Sequence, residues 1–178
     1  MTTKSYFDTY FQINSLYDAI SISAIGFNLF ALFMLFFNDW DFLIGLILVL
    51  VGQYVIKELT IPLDISILKR PLGACNCSLY NLGGNVDGKP GFPSGHMSGS
   101  SFMTNLIYFK FCKQKNLWNY ILYNFWNIFM GIARYQKKCH NLIQIIGGYI
   151  FGLIVAYLFY EKDTLFSLSK QQRSFYKK

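Results

Sequence analysis

Two histidines occur in the chain, His96 and His140, and each stands beside glycine or at an arginine-bearing break rather than inside an apolar run. A single histidine is most often structural or solvated. Two of them, each with an arginine or a helix start nearby, point to acid-base work on an anion. Pro93-Ser94-Gly95-His96 is expected to open a helix with Pro93 in the first turn, where its missing N–H is no loss. Free amides and the positive end of the helix dipole there suit phosphate. Gly95 permits close backbone approach, and the Ser94 hydroxyl can donate to a phosphoryl oxygen. The same tetrapeptide also reads as a plain helix cap. Arg70 and Arg134 carry planar forks that match two oxygens of one phosphoryl group, although a boundary arginine can instead snorkel to water.

The elements that must hold these residues are apolar. Of 178 residues, 53% are hydrophobic and 14% charged, enough chain for one domain but little to keep it in water. The 18 Phe and 13 Tyr suit lipid-facing surfaces and headgroup-level rings. Breaks in the apolar pattern divide the chain into about five crossings of roughly 20 residues each, over residues 17–37, 42–57, 93–112, 117–133 and 141–160. The expected fold is all-α, a polytopic transmembrane helical bundle. Residues 1–16 form an interfacial segment in this reading, 17–160 the membrane domain and 161–178 a basic tail. Because two crossings separate His96 from Arg134, the chain returns to the face it left, and Arg70, His96, Arg134 and His140 share it.

Residues 58–92 carry Pro62, Pro71, Pro90 and the Gly83-Gly84 pair and read as a long loop, of the kind that usually serves function. Gly148 and Gly152 are spaced for close helix packing, and Asn105, Asn124 and Asn127 read as hydrogen-bonding cement between helices rather than as site residues. The net charge of +7 accompanies no nucleic-acid motif, so membrane lipid and an anionic substrate are the expected partners. Residues 5–17 alternate polar and aromatic types, unlike a cleaved signal peptide. Cys75, Cys77, Cys112 and Cys139 form no CxxC pair. A metal site of Cys75, Cys77, Cys139 and His140 is conceivable but has no recognisable ligand spacing; no metal and no cofactor is expected. The oxidation state of Cys75 and Cys77 is open.

Taken together, Arg70-Pro71, Pro93-Ser94-Gly95-His96 and the run Ala133-Arg134 to His140 and Gln144 resemble the three motifs of the type 2 phosphatidic acid phosphatase superfamily, in order and approximate spacing. The resemblance extends over about residues 42–160. It implies phosphoryl transfer without metal, in which His140 attacks phosphorus and His96 protonates the leaving oxygen. A phosphohistidine forms and water hydrolyses it, while Arg70, Arg134, Ser94 and the Gly95 amide stabilise the phosphoryl oxygens. Three positions depart from the pattern. Ala133 replaces a serine, and Leu63 replaces a lysine whose role falls to Lys57 or Lys69. Gln144 replaces an aspartate, as in the glucose-6-phosphatase and dolichyl-diphosphatase branches; its amide oxygen can orient the imidazole of His140 but brings no negative charge.

The implied substrate is a phosphate monoester or diphosphate of a lipid, of phosphatidic acid or isoprenyl diphosphate type. The alternative is a catalytically impaired relative that binds phosphorylated lipid or a protein. Lysine and arginine divide evenly between the two faces; once Arg70 and Arg134 are set aside as substrate ligands, the excess lies opposite the motifs. The active site is therefore expected on the lumenal or extracytoplasmic side. Oligomeric state is not addressed by the sequence.

Overall fold

The computed structural model describes the backbone of residues 15–175 and the side chains of residues 15–162; the expected interfacial segment lies outside them but for its last two residues. The described chain is helical without strands. It comprises α1 (Leu16–Ile22), α2 (Ala24–Met34) running into a 3-10 turn (Leu35–Phe37), α3 (Asp41–Thr60), α4 (Gly95–Phe111), α5 (Leu117–Gln136) and α6 (Leu142–Phe175). The first expected crossing is thus interrupted. Ser23 Oγ donates to the Ile20 carbonyl at 2.6 Å, a side-chain bond that competes with the helical ladder, and α1 gives way to α2 there.

Local chemistry sets the ends. The Ser15 hydroxyl accepts from the Asp18 amide, Asn116 Oδ1 from the Asn119 amide and Asn141 Oδ1 from the Gln144 amide, each a side-chain cap on an otherwise orphaned N–H. Pro93 does not open a helical turn as expected. Ser94 is extended and donates its amide to the Gln144 carbonyl at 3.0 Å, so the first helical residue is Gly95. At the other end of the chain the expected tail begins as helix, because α6 continues to Phe175.

α4 packs against α2, α3, α5 and α6. Its approach to α6 is close enough to demand glycine: a Cβ on Gly148 would stand 2.7 Å from the Ser94 carbonyl oxygen, and one on Gly152 would stand 2.3 Å from that of Ser98. The spacing seen in the sequence therefore does pack helices. Ala31, Phe42, Leu46, Val49, Phe102, Met103, Leu106 and Ala156 form the largest apolar core. Beside it lies polar cement. Asn127 accepts from Ser100 Oγ at 2.5 Å and donates to Thr104 Oγ1 and Asn124 Oδ1, and Asn124 reaches Asn105.

Polarity runs inside out. Ser98, Ser101, Asn105 and Asn127 are buried, whereas Leu48, Val51, Leu122, Phe125, Ile150 and Ile154 are exposed. Three stretches among the described residues, Leu16–Phe37, Asp41–Thr60 and Leu142–Lys162, are long and apolar enough to cross a membrane. α4 is shorter and carries its polar groups against neighbouring helices. The loop between α3 and α4 is not structureless: it holds a 3-10 turn (Ser66–Leu68) and two isolated antiparallel bridges, Lys69 with Pro90 and Cys75 with Asn85.

Candidate active site

The carboxyl end of α5 sets the position of His140. The helix stops at Lys137, and Lys138 turns the chain at φ 54°. The amides of Cys139 and Lys138 then return to the carbonyls of Arg134 and Tyr135 at 3.1 and 2.9 Å. This double bond pattern is a Schellman stop, with lysine where glycine is usual. A disulfide joins Cys139 to Cys77 in the long loop. Cys77 and Cys139 are therefore not thiolate ligands, and the conceivable metal site with Cys75 and His140 is excluded.

His140 is buried, with Nδ1 3.0 Å from Gln144 Oε1. The orientation of that amide follows from its other end: Nε2 of Gln144 donates to the carbonyls of Ile67 and Lys69 at 3.0 and 2.7 Å. The oxygen must face the imidazole, so Nδ1 carries the proton and Nε2 keeps its lone pair. That Nε2 lies 3.3 Å from Arg70 Nη1, which also donates to the Cys139 carbonyl at 2.9 Å. Burial, then the charges of Arg134 and Arg70, hold the imidazole well below its ordinary range. The neutral imidazole is the favoured form.

A cavity of about 270 Å³ brings together Lys57, Arg70, Gly95, His96 and His140, with Gln53 beside them and Phe27, Leu46, Leu50 and Leu79 on its apolar walls. The two histidines thus meet at one space. Gln144 stands behind His140. Ser94 and Arg134 are fully buried and do not line the cavity; Arg134 donates to Ser21 Oγ at 3.2 Å and to the Cys77 carbonyl at 2.7 Å. Ser94 Oγ makes no capping bond. Ser94 Oγ, His96 Nε2 and Arg134 Nε are buried atoms with no hydrogen-bond partner in the protein, a cost that buried polar groups normally avoid.

The charge is unbalanced in one direction. Among the described residues neither Lys57, Arg70 nor Arg134 forms an ion pair, whereas Lys69 is paired with the exposed Asp64. Of the two lysines open to the first-motif role, Lys57 faces the cavity and Lys69 contributes its backbone carbonyl to Gln144. Buried cations without an ion-pair partner are expensive, and an anion in this cavity would offset the charges of Lys57 and Arg70 that line it.

Three contributors to this arrangement are not evident from the sequence. Gly91 lies against the site: a Cβ there would stand 2.4 Å from Gln144 Oε1 and 3.0 Å from Arg70 Cγ. Its position just before the Pro-Ser-Gly-His block was the available signal. Ser21 carried none, and the pairing of two cysteines 62 residues apart has no local signature. A family model described as the PAP2 superfamily matches residues 40–165. No curated protein and no solved structure gives a match.

Proposed function

Since the chain belongs to the PAP2 superfamily, we propose that it is an integral membrane phosphatase that hydrolyses a phosphate monoester or diphosphate carried by a lipid. The observation that carries the reading is the tautomer of His140: Gln144 fixes the proton on Nδ1, leaving the Nε2 lone pair beside Arg70 in a cavity that also holds His96 and Lys57. In the first step Nε2 forms an N–P bond as the bond from phosphorus to the leaving oxygen breaks, and His96, which takes up a proton as the anionic substrate binds, delivers it to that oxygen. Water then attacks phosphorus, His96 takes its proton, and the N–P bond breaks to restore neutral His140 and release phosphate. Arg70, Lys57 and the amide of Gly95 hold the phosphoryl oxygens, with Ser94 and the charge of Arg134 behind them.

The apolar walls favour a substrate with an apolar body, and the inside-out polarity favours a bilayer setting. We count α1 with α2 as one crossing and α3, α4, α5 and α6 as four more. The disulfide on the motif face favours an oxidising compartment and so supports an active site on the lumenal or extracytoplasmic side. The test uses purified protein in detergent with chelator, offered phosphatidic acid, an isoprenyl diphosphate and a sugar phosphate. Phosphate release that vanadate inhibits and that His140→Ala abolishes is expected. Release by His140→Ala at the wild-type rate rejects the nucleophile, and no release from any substrate favours a relative that only binds phosphorylated lipid.

A further inference from the structure

Between Asp41 and Lys57, α3 carries one side-chain amide, Gln53, in an otherwise largely aliphatic helix. Polar groups at such positions rarely face lipid and mark sites by default. Gln53 is one turn before Lys57, on the same helix face, and both line the cavity that holds His96 and His140. Its Oε1 accepts from Lys57 Nζ. With the oxygen so engaged, Nε2 and its two N–H donors are left without a hydrogen-bond partner among the described residues. The amide also lies flat on Gly95, where an added Cβ would stand 2.8 Å from Oε1 and 3.3 Å from Nε2. Gln53 therefore touches both the lysine and the first turn of α4.

We propose that Gln53 and Lys57 act as one anion-holding unit, in which Oε1 fixes the ammonium over the cavity and Nε2 donates to an oxygen of the bound phosphate. This rests on the reading of the cavity as a phosphate site. It accounts for a lysine thirteen positions before Arg70: the displaced ammonium is steered by a neighbour on its own helix instead of by the loop. It also makes Gly95 a packing requirement of the amide as well as an approach for the substrate.

The test titrates orthovanadate into the full chain in detergent, read by thermal shift, with turnover measured in parallel. Gln53→Leu is expected to weaken vanadate binding about tenfold, as for loss of a hydrogen bond to a charged group. Lys57→Met should weaken it about thirtyfold, and the double variant should fall no more than about threefold below Lys57→Met, because contacting residues are not additive. Gln53→Glu keeps the size and the bond to Lys57 but presents a carboxylate to the anion. It is expected to lose more than Gln53→Leu, an ordering that packing alone does not produce, and it decides the matter if Gln53→Leu fails to fold. Unchanged binding in both Gln53 variants, or losses that multiply in the double variant, overturns the proposal. A wild-type chain that binds vanadate without turning over any substrate defeats the phosphatase reading while the variants still judge this one; a wild-type chain that binds no vanadate defeats both.

Discussion

In the proposed mechanism the amide of Gln144 takes the orienting part of an aspartate one turn beyond His140. It accepts from Nδ1 and donates to the Ile67 and Lys69 carbonyls, tying the proposed nucleophile to the loop that carries Arg70. A carboxylate can make the first bond but not the other two. Gln144→Glu is therefore expected to lower kcat/KM about tenfold or more, because it strands the Lys69 carbonyl and leaves that of Ile67 only the Asn141 amide. Its charge favours imidazolium, raising the pKa of His140; since the neutral ring is the attacking form in the proposed mechanism, the acid limb of kcat/KM against pH is expected to move upward. Gln144→Ala should lose turnover without that upward move, because the bond it removes is itself one that raises the His140 pKa. Gly91→Ala places a methyl into the same amide and against Arg70. About 1 to 3 kcal/mol of destabilisation and a loss of turnover of at least tenfold are expected, measurable by thermal unfolding and phosphate release.

The end of α5 concentrates the positional control at the level of elements. The Schellman stop, the disulfide and two arginine bonds converge within a few residues: Arg134 donates to the Cys77 carbonyl, Arg70 donates to that of Cys139, and a covalent bond joins the two cysteines. Replacing Cys77 and Cys139 together by serine is expected to reduce kcat by more than it raises KM, because both guanidinium groups lose fixed acceptors near the reacting atoms. Wild-type kinetics in that double variant remove the disulfide from the positioning of the site. Lys138 occupies a left-handed conformation that costs a side chain about 1 to 2 kcal/mol. Lys138→Gly should leave activity and thermal stability close to wild type, whereas Lys138→Ile, branched at Cβ, should lower both.

Across the whole molecule, the site and the clamp that holds the helices stand apart in the fold. Lys110 near the end of α4 reaches Asp39 at 2.8 Å and Asp41 at 2.7 Å, and Lys162 of α6 reaches Asp41 at 2.5 Å. These partly buried pairs join the α2–α3 turn, α4 and α6 through none of the residues that line the candidate active-site cavity. Lys110→Met removes one cation from each of two carboxylates, while Asp41 keeps Lys162. It is expected to cost about 2 kcal/mol, less than a deeply buried pair because all three groups keep some solvent. A lowered thermal midpoint with kcat/KM within about twofold of wild type checks it.

Much of this was legible along the chain. The apolar runs, their breaks and the paired glycines of α6 are local patterns, and burial in or against a bilayer leaves a polar interior and an apolar exterior that composition already betrays. His96 and His140 stood out because histidine is scarce, Arg70 because its planar fork suits a phosphoryl group, and Gln144 because it stands one helical turn beyond His140, where the resembled pattern has aspartate. What required the folded chain were relations between segments far apart in sequence: the union of Cys77 with Cys139, the choice of Lys57 over Lys69 at the cavity, the burial of Arg134 behind its wall, and the contact of Gly91 with Gln144. Each depends on which side chains the long loop lays against the helix ends, and loop placement is decided by tertiary hydrogen bonds and covalent closure that no periodicity records.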